Sequence, residues 1–239
     1  MKIVEQTYSG ERPLYGSRDL ELLNVTIQSG ESALKECRDI VAKHCRFEGK
    51  YVFWEDENVL CEDSVFAEES RASAWYGRQY VFRRCQVAAP KMFREIDGLS
   101  VEQVRIDAGA ETFWHCQHIQ MRDVELLGAD YCFLHAVQAD ISRLNMVGNY
   151  TFQYTKQIRL SDSQLHTRDA FWQSEACVIS DCELQGAYLG WYSKNLHLVR
   201  CHISGTQPLC YCENLLLEQC TFAPDADRAL EKSTYTIIE

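Results

Sequence analysis

Two segments near the end of the chain, LHLVRCHI (residues 196–203) and LLLEQCTF (residues 215–222), repeat one pattern 19 positions apart. Each has apolar residues at its first, third and eighth positions and a cysteine at its sixth, and CVISDCEL (residues 177–184) is a third copy. Self-similarity at a fixed period is the signature of a repeat protein, in which each repeat stacks on the next. Earlier copies of the apolar pattern follow at steps of 19 to 21 residues and start at Leu20, Ile40, Val59, Tyr80, Leu99, Ile119, Ala139 and Ile158.

The length and the internal pattern of the repeat predict short strands wound into a solenoid. Apolar residues alternate over three to five positions, which is typical of a strand and too short for a helix. Stacked coils lie ~4.8 Å apart, so each strand pairs with its copy in the next coil. The sequence therefore predicts an all-β fold, a single-stranded right-handed parallel β-helix of about eleven coils of 19–21 residues. We expect three strands and three bends in each coil.

The whole chain, residues 1–239, is assigned to a single β-helix domain. Residues 18–222 are predicted to form the coils. Residues 1–17 are predicted to form an N-terminal cap, and residues 223–239 a partial coil or a cap. Caps are expected because the last coil of an open stack exposes unpaired strand edges.

Two other repeat folds of similar period fit less well. Leucine-rich repeats place Asn or Cys within an L-x-x-L-x-L pattern, and that motif is absent. Pentapeptide solenoids need a sustained five-residue period, and only the stretch from Gly128 to Met146 shows one.

A formal net charge of −11 restricts the partners of this protein. Nucleic acids and anionic membranes are bound through basic patches, so we expect neither as a partner. A neutral glycan, a cation or a basic protein is compatible with the charge. The N-terminal run MKIVEQTYSG lacks the apolar region of a secretory signal. We therefore expect a cytoplasmic protein whose twelve cysteines are free, buried thiols.

A second apolar column runs through the same coils, and a line of aromatic residues lies one position beyond it. The column contains Leu34, Phe53, Phe93, Phe113, Phe133, Phe152, Phe171, Leu189 and Leu209, with Ala74 or Trp75 in the third coil. Exposed aromatic rings can stack on the apolar faces of sugar rings. We therefore predict that substrate is bound by Trp54, Trp114 and Trp172 of this line and by Tyr154, which lies one position further on. The alternatives are that these rings pack under loops or form an interface, including an interface between copies of the chain.

Acidic and histidine residues lie two positions beyond the column. Glu36 and Glu55 occur in successive coils, hence ~5 Å apart between strands, close to the ~5–5.5 Å between the two carboxyl groups of a retaining glycosidase. Glu55 is the candidate general acid or base and Arg94 its charge partner. The alternative is a solvated acidic face that Lys35 and Arg94 neutralise. Because buried, unpaired carboxylates are costly, we expect a bend after the tryptophan line, with both lines facing outward. The predicted catalytic set is Glu36, Glu55, Glu95, Arg94, His115 and His135.

His115, Cys116, His118 and His135 offer side chains that zinc accepts. Their spacing matches no metal-binding motif, so we predict neither a metal nor any other cofactor.

The N-terminal run GERPLYGSRDLELLNVTIQSGESALKEC (residues 10–37) and the FW pairs at residues 53–54, 113–114 and 171–172 resemble one family. This is an uncharacterised microbial family catalogued as domain of unknown function 3737, with a pectin-lyase-like right-handed β-helix. The resemblance covers nearly the whole chain and implies the fold. It implies no activity, so no catalytic residue is carried over.

Two functions remain open from the sequence. The first is a β-helix that binds or modifies carbohydrate, by hydrolysis or lysis, through the aromatic and acidic lines. The second is a non-catalytic interaction or scaffold protein that uses the same aromatic stripe against a protein partner or its own copy. Fold analogy alone supports the enzyme.

Overall fold

The computed structural model describes all 239 residues, which form strands and turns without a helix. The first strands along the chain are β1 Lys2–Val4, β2 Thr7–Glu11, β3 Arg18–Leu23, β4 Thr26–Glu31, β5 Arg38–Lys43, β6 Arg46–Phe47, β7 Phe53–Trp54, β8 Glu57–Glu62, β9 Val65–Phe66, β10 Ala74–Trp75, β11 Arg78–Arg83, β12 Gln86–Val87 and β13 Phe93–Arg94. They are followed by β14 Asp97–Glu102, β15 Arg105–Ile106, β16 Gln117–Leu127, β17 Val137–Val147, β18 Lys156–Ser161, β19 Gln164–His166, β20 Val178–Ser180, β21 Glu183–Gln185, β22 His197–Val199, β23 His202–Ser204, β24 Leu215–Glu218, β25 Thr221–Phe222 and β26 Tyr235–Ile238. No helix of the protein has the length and apolar character needed to cross a membrane.

All strand pairs are parallel and join equivalent strands of adjacent coils, which is the topology of a β-helix. Leu20 pairs with Ile40, Ile40 with Val59 and Val59 with Tyr80. These are the pairs that the sequence columns predicted. The predicted all-β right-handed parallel β-helix is confirmed, and the stack has about twelve turns. The first strands, β1 and β2, pair with β3 and β4, and β26 pairs with β24, so both ends of the chain add to the stack.

Each coil has four corners rather than the predicted three. The corners are residues in the left-handed region of φ, and in one coil they are Asp39, His44, Tyr51 and Glu55, with φ between 52° and 60°. The same four corner positions recur in the following coils, and four coils have a further left-handed residue, the phenylalanine of the column at Phe113, Phe133, Phe152 and Phe171. The four sides of a coil have unequal lengths, which explains why a sustained five-residue period is absent.

One continuous hydrophobic cluster of 63 buried residues fills the coils from end to end. Within it the phenylalanine column forms a ladder of stacked rings, with centroids 5.0 Å apart for Phe93–Phe113, 4.5 Å for Phe113–Phe133 and 4.3 Å for Phe133–Phe152. Ala74 is the member of this column in the third coil, because it pairs with both Phe53 and Phe93. All twelve cysteines are free thiols, and all but the half-buried Cys220 are buried.

One acidic residue, Asp56, lies inside the core and is only 2% exposed. Its Oδ1 atom accepts a hydrogen bond from the Cys37 backbone N–H at 2.8 Å, and its own backbone N–H donates to the Tyr80 hydroxyl at 3.1 Å. Its Oδ2 atom has no hydrogen-bond partner. Burial raises the pKa of Asp56 to about 9, so this carboxyl is protonated at neutral pH. The Tyr80 ring fits here because the nearby Gly77 has no side chain: a Cβ on Gly77 would lie 2.2 Å from the ring.

Candidate functional site

One corner of each coil carries an outward side chain, and these side chains form a vertical row that we call the corner row. All its members adopt φ between 51° and 61°. All are exposed except the half-buried Tyr211, in agreement with the bend expected after the tryptophan line. The row contains Glu36, Glu55, Tyr76, Glu95, His115, His135, Tyr154, Gln173, Tyr192 and Tyr211.

The first two glutamates of the corner row share one lysine. The Lys35 Nζ atom lies 3.7 Å from Glu36 Oε1 and 3.5 Å from Glu55 Oε2. The Tyr15 hydroxyl donates a hydrogen bond to Glu36 at 2.7 Å, and this bond raises the pKa of Tyr15. Both carboxylates are thus paired with the Lys35 ammonium group. This agrees with the alternative prediction, an acidic face that is neutralised.

Arg94 does not contact Glu55, and its predicted role as the charge partner of that carboxylate is wrong. Its Cζ atom lies 4.2 Å from the ring centroid of Trp75 and 4.4 Å from that of Trp114. Its Nη2 atom lies 3.7 Å from Glu111 Oε2. Arg94 is held by two ring faces of the adjacent coils, two coils away from Glu55.

The tryptophan line lies half-buried beside the corner row. Trp54 stacks on Trp75, with centroids 5.3 Å apart, and Trp172 stacks on Trp191 at 5.9 Å. One face of Trp114 is covered by Arg94. The three tryptophans predicted to bind substrate therefore use ring faces for contacts within the protein. Tyr154 is different, because 38% of its surface is exposed.

His115, His135 and Tyr154 form a second stack of rings, with centroid separations of 4.9 and 5.0 Å. Burial, and then the neighbouring His115, lower the pKa of His135, so its ring is neutral at neutral pH. Cys116 points into the core, where burial raises the pKa of its thiol to about 12. His118 lies in strand β16, with its Nδ1 atom 2.6 Å from Asp97 Oδ1. The four side chains considered as metal ligands are not brought together, and no group of three His, Cys, Asp or Glu side chains could hold a metal ion.

A groove of about 520 Å³ runs along the later coils. One wall is the corner row from His135 to Tyr211. The other wall is a ladder of alternating charge, in which Lys156 pairs with Glu175 at 3.0 Å and Lys194 pairs with Glu213 at 2.8 Å. The groove therefore combines aromatic rings with both signs of charge along the axis of the solenoid.

The rings of this wall are interrupted once, at Gln173. Tyr154 stacks on His135 on one side of the gap, and Tyr192 stacks on Tyr211 at 5.0 Å on the other. Tyr154 and Tyr192 are two coils, ~10 Å, apart. Each therefore has one face that no ring of the corner row covers, and Gln173 lies between these faces.

Sequence reasoning found part of this site. Tyr154 was predicted as a ligand-binding residue, but Tyr192 and Tyr211 were not assigned to the row, although both continue it at steps of 19 residues. Sequence reasoning also missed the lysine and glutamate ladder, which lies two positions beyond the corner row.

Comparisons with known proteins add a family and distant structural likenesses. The sequence model of the family described as "Protein of unknown function (DUF3737)" matches residues 1–238, which confirms the family resemblance. The pectin-lyase-like affiliation stays a prediction. No curated protein matches the chain.

Among solved structures, the chain is similar to HetL, a pentapeptide repeat protein involved in heterocyst differentiation regulation from the cyanobacterium Nostoc sp. Strain PCC 7120. The identity is 11%, with 92% of this chain and 89% of that chain covered and a TM-score of 0.30. It is also similar to a trypsin-treated form of QnrB1, a plasmid-mediated fluoroquinolone resistance protein. Here the identity is 11%, the coverage 97% and 91%, and the TM-score 0.24. Likenesses at these scores assign no activity to this chain.

Proposed function

The chain belongs to the DUF3737 family of proteins of unknown function, and we propose that it is a non-catalytic glycan-binding solenoid. The proposed ligand is a neutral glycan that lies along the groove between the corner row and the lysine and glutamate ladder. One sugar ring enters the gap at Gln173.

The observation that carries this proposal is the interrupted stack of rings. In an unbroken stack each ring covers the face of the next, so a ligand meets only ring edges. At Gln173 no ring of the corner row lies between Tyr154 and Tyr192, which stand ~10 Å apart, the height of two coils, and Trp172 borders the gap 5.2 Å from Tyr192. A sugar ring has apolar faces and polar edges, so it can stack on such a ring while its hydroxyl groups remain hydrogen-bonded.

The opposite wall supplies those hydrogen bonds. Lysine ammonium groups donate and glutamate carboxylates accept, and the two alternate at Lys156, Glu175, Lys194 and Glu213. Each ammonium is paired with a carboxylate, so this wall has no excess of positive charge for an acidic polysaccharide. With a net charge of −11 for the whole chain, a neutral glycan fits better than an anionic one.

The absence of catalysis is proposed from the state of the carboxylates. The closely spaced pair, Glu36 and Glu55, is bridged by Lys35 and lies six coils or more from the gap at Gln173. The carboxylates that do line the groove, Glu175 and Glu213, are paired with lysines. A glycosidase needs two carboxyl groups that flank one glycosidic bond, whereas Glu175 and Glu213 stand two coils, ~10 Å, apart and each is neutralised by its lysine.

The test is binding of neutral hexaoses, namely cello-, xylo-, manno- and malto-hexaose, measured by calorimetry with the full chain. We expect at least one to bind, and Gln173→Tyr to abolish the binding because a tyrosine there would close the gap in the stack. Tyr192→Ala should weaken binding by about threefold to tenfold, the range of a single aromatic contact. The same samples, incubated and analysed by chromatography, should contain the hexaose uncleaved.

Tyr131→Ala is the matched control, because Tyr131 is also an exposed tyrosine, 46% exposed and stacked on Tyr150 at another corner. It should bind the hexaose as the unmodified chain does. Equal losses from Tyr131→Ala and Tyr192→Ala, or no binding of any hexaose at 10 mM (roughly the weak limit of a single stacked ring), would reject the glycan. A protein that competes for the groove would then favour the interaction or scaffold function. Cleavage that Glu55→Gln abolishes would refute the non-catalytic assignment.

A further inference from the structure

The corner row has a second interruption, at Glu95, which lies between Tyr76 and His115. We propose that this position is a binding site for a guanidinium group supplied by a ligand or a partner. The site consists of the two ring faces and the Glu95 carboxylate, and it is separate from the glycan groove.

The same coils already hold a guanidinium in this geometry. One residue before each member of the proposed site lie Trp75, Arg94 and Trp114. The Arg94 guanidinium sits between the two indoles, 4.2 and 4.4 Å from their ring centroids. A gap of two coils between aromatic rings is therefore the size that holds a planar cation with a ring on each face. In the neighbouring row the residue in the gap is an acid instead of an arginine.

The Tyr76 ring is oriented so that it faces this gap. It lies 5.1 Å from Trp54 at 68° and 5.9 Å from Trp75 at 87°. Tyr192 has nearly the same relation to its own tryptophans, at 5.2 Å and 59° to Trp172 and 6.1 Å and 83° to Trp191. Since Tyr192 in this orientation stacks flat on the ring of the next coil, at 19°, Tyr76 presents its face to the next coil as well. There it meets Glu95 rather than a ring.

The other side of the gap is the His115 ring. His115 stacks on His135 with its far face, at an interplanar angle of 16°. Its near face is turned toward Glu95.

The negative charge of the site also favours a cation. The basic groups around Glu95 are paired elsewhere: Arg94 with Glu111, His118 with Asp97 and Arg78 with Glu57. Glu95 and Asp97 line one open cavity of about 450 Å³, together with His115. An exposed carboxylate between two ring faces, which no lysine or arginine of the protein pairs with, is complementary to a guanidinium, because this group stacks on rings and donates hydrogen bonds to a carboxylate at the same time.

The experiment titrates the full chain with N-acetyl-arginine N-methylamide at constant ionic strength and follows the ring protons of His115 by NMR. N-acetyl-lysine N-methylamide has the same charge without the planar group and serves as the reference ligand. We expect a saturable shift of His115 with the arginine compound, at a dissociation constant of about 10 mM for two exposed cation–π contacts and one exposed ion pair. The lysine compound should bind at least about threefold more weakly.

Glu95→Gln should weaken binding of the arginine compound by about threefold, and Tyr76→Leu by a similar factor. Glu55→Gln is the matched control: it removes the same charge from the same row, but at a residue already paired with Lys35, and it should leave binding unchanged. Equal effects of Glu55→Gln and Glu95→Gln would show only general attraction of a cation to an acidic protein and would overturn the proposal. Binding of the lysine compound as tight as that of the arginine compound would also overturn it. A parallel titration with ethylguanidinium identifies where the guanidinium group comes from. Tighter binding of N-acetyl-arginine N-methylamide would assign an arginine of a protein partner, and tighter binding of ethylguanidinium would assign a free guanidino compound. Both results require the site.

Discussion

Replacement of the buried Asp56 by asparagine should make the protein more stable, and the gain should grow as the pH rises. Asparagine keeps an oxygen to accept the hydrogen bond from the Cys37 backbone N–H, which now reaches Asp56 Oδ1 at 2.8 Å. It has nearly the same volume and no charge. The only large change is that the side chain no longer binds a proton.

The magnitude follows from the pKa in the two states. Burial raises the pKa of Asp56 to about 9 in the folded protein, whereas an unfolded aspartate titrates near ~3.9. Between these values the folded chain binds one proton that the unfolded chain does not, so the stability falls as pH rises, by about 1.4 kcal/mol per pH unit. From pH 5 to pH 8 the loss from this one group is about 4 kcal/mol. Asp56→Asn removes this loss and leaves the contributions of all other groups in place.

The assay is urea unfolding followed by far-UV circular dichroism at pH 5, 6, 7 and 8, for the unmodified chain and for Asp56→Asn. The difference in unfolding free energy between the two should increase steadily with pH, by an amount on the order of 4 kcal/mol over the series. Asp63→Asn is the control: Arg84 lowers the pKa of the half-buried Asp63, so the stability it contributes is fully present above the unfolded pKa of ~3.9, and this variant should lose the same amount of stability at every pH of the series. Parallel curves for the unmodified chain and Asp56→Asn would show that Asp56 is ionised in the folded state and would refute this reasoning.

Three further substitutions test the packing, each by thermal or urea unfolding. Gly77→Ala should destabilise the protein by about 2 kcal/mol or more, because its Cβ would lie 2.2 Å from the Tyr80 ring. The same substitution should cost much less stability in a chain that already carries Tyr80→Leu. Strictly additive losses from the two substitutions would contradict the contact. Arg94→Met should cost about 1–2 kcal/mol through the loss of two cation–π contacts, and a thermally neutral variant would show that the ring contacts contribute nothing. Phe133→Leu removes the central ring of the phenylalanine ladder and should cost about 1–3 kcal/mol, whereas a gain in stability would mean that the ladder is strained.

The columns of the β-helix could be predicted from the sequence because parallel stacking puts equivalent residues directly above one another. Repeats that start at Leu20, Ile40 and Val59 are found paired in that order. The corners could not be predicted in the same way. Left-handed corners are usually recognised by glycine or asparagine, but here residues as different as His44, Tyr51 and Glu55 occupy them.

The charge partners could not be predicted either, because a repeat fixes where a residue stands but not where its side chain points. Lys35 and Arg94 were equal candidates to neutralise the glutamates. In the structure Lys35 reaches Glu36 and Glu55, whereas Arg94 is held between two indoles. A guanidinium stacks on aromatic rings far better than an ammonium group does, and this difference decides between the two residues once rings are present above and below.

The residue that interrupts a stack of rings therefore decides what the gap can hold. Two interruptions are filled by the chain itself: Arg94 lies between tryptophans, and Arg168, paired with Asp169 at 2.9 Å, lies 5.9 Å from both Tyr150 and Tyr188. The interruptions at Glu95 and Gln173 carry no cation of their own, although the rings on either side have the same two-coil separation. Under the two proposals above, an exchange of one corner side chain would change the class of ligand from a cation to a neutral ring while the fold stays the same.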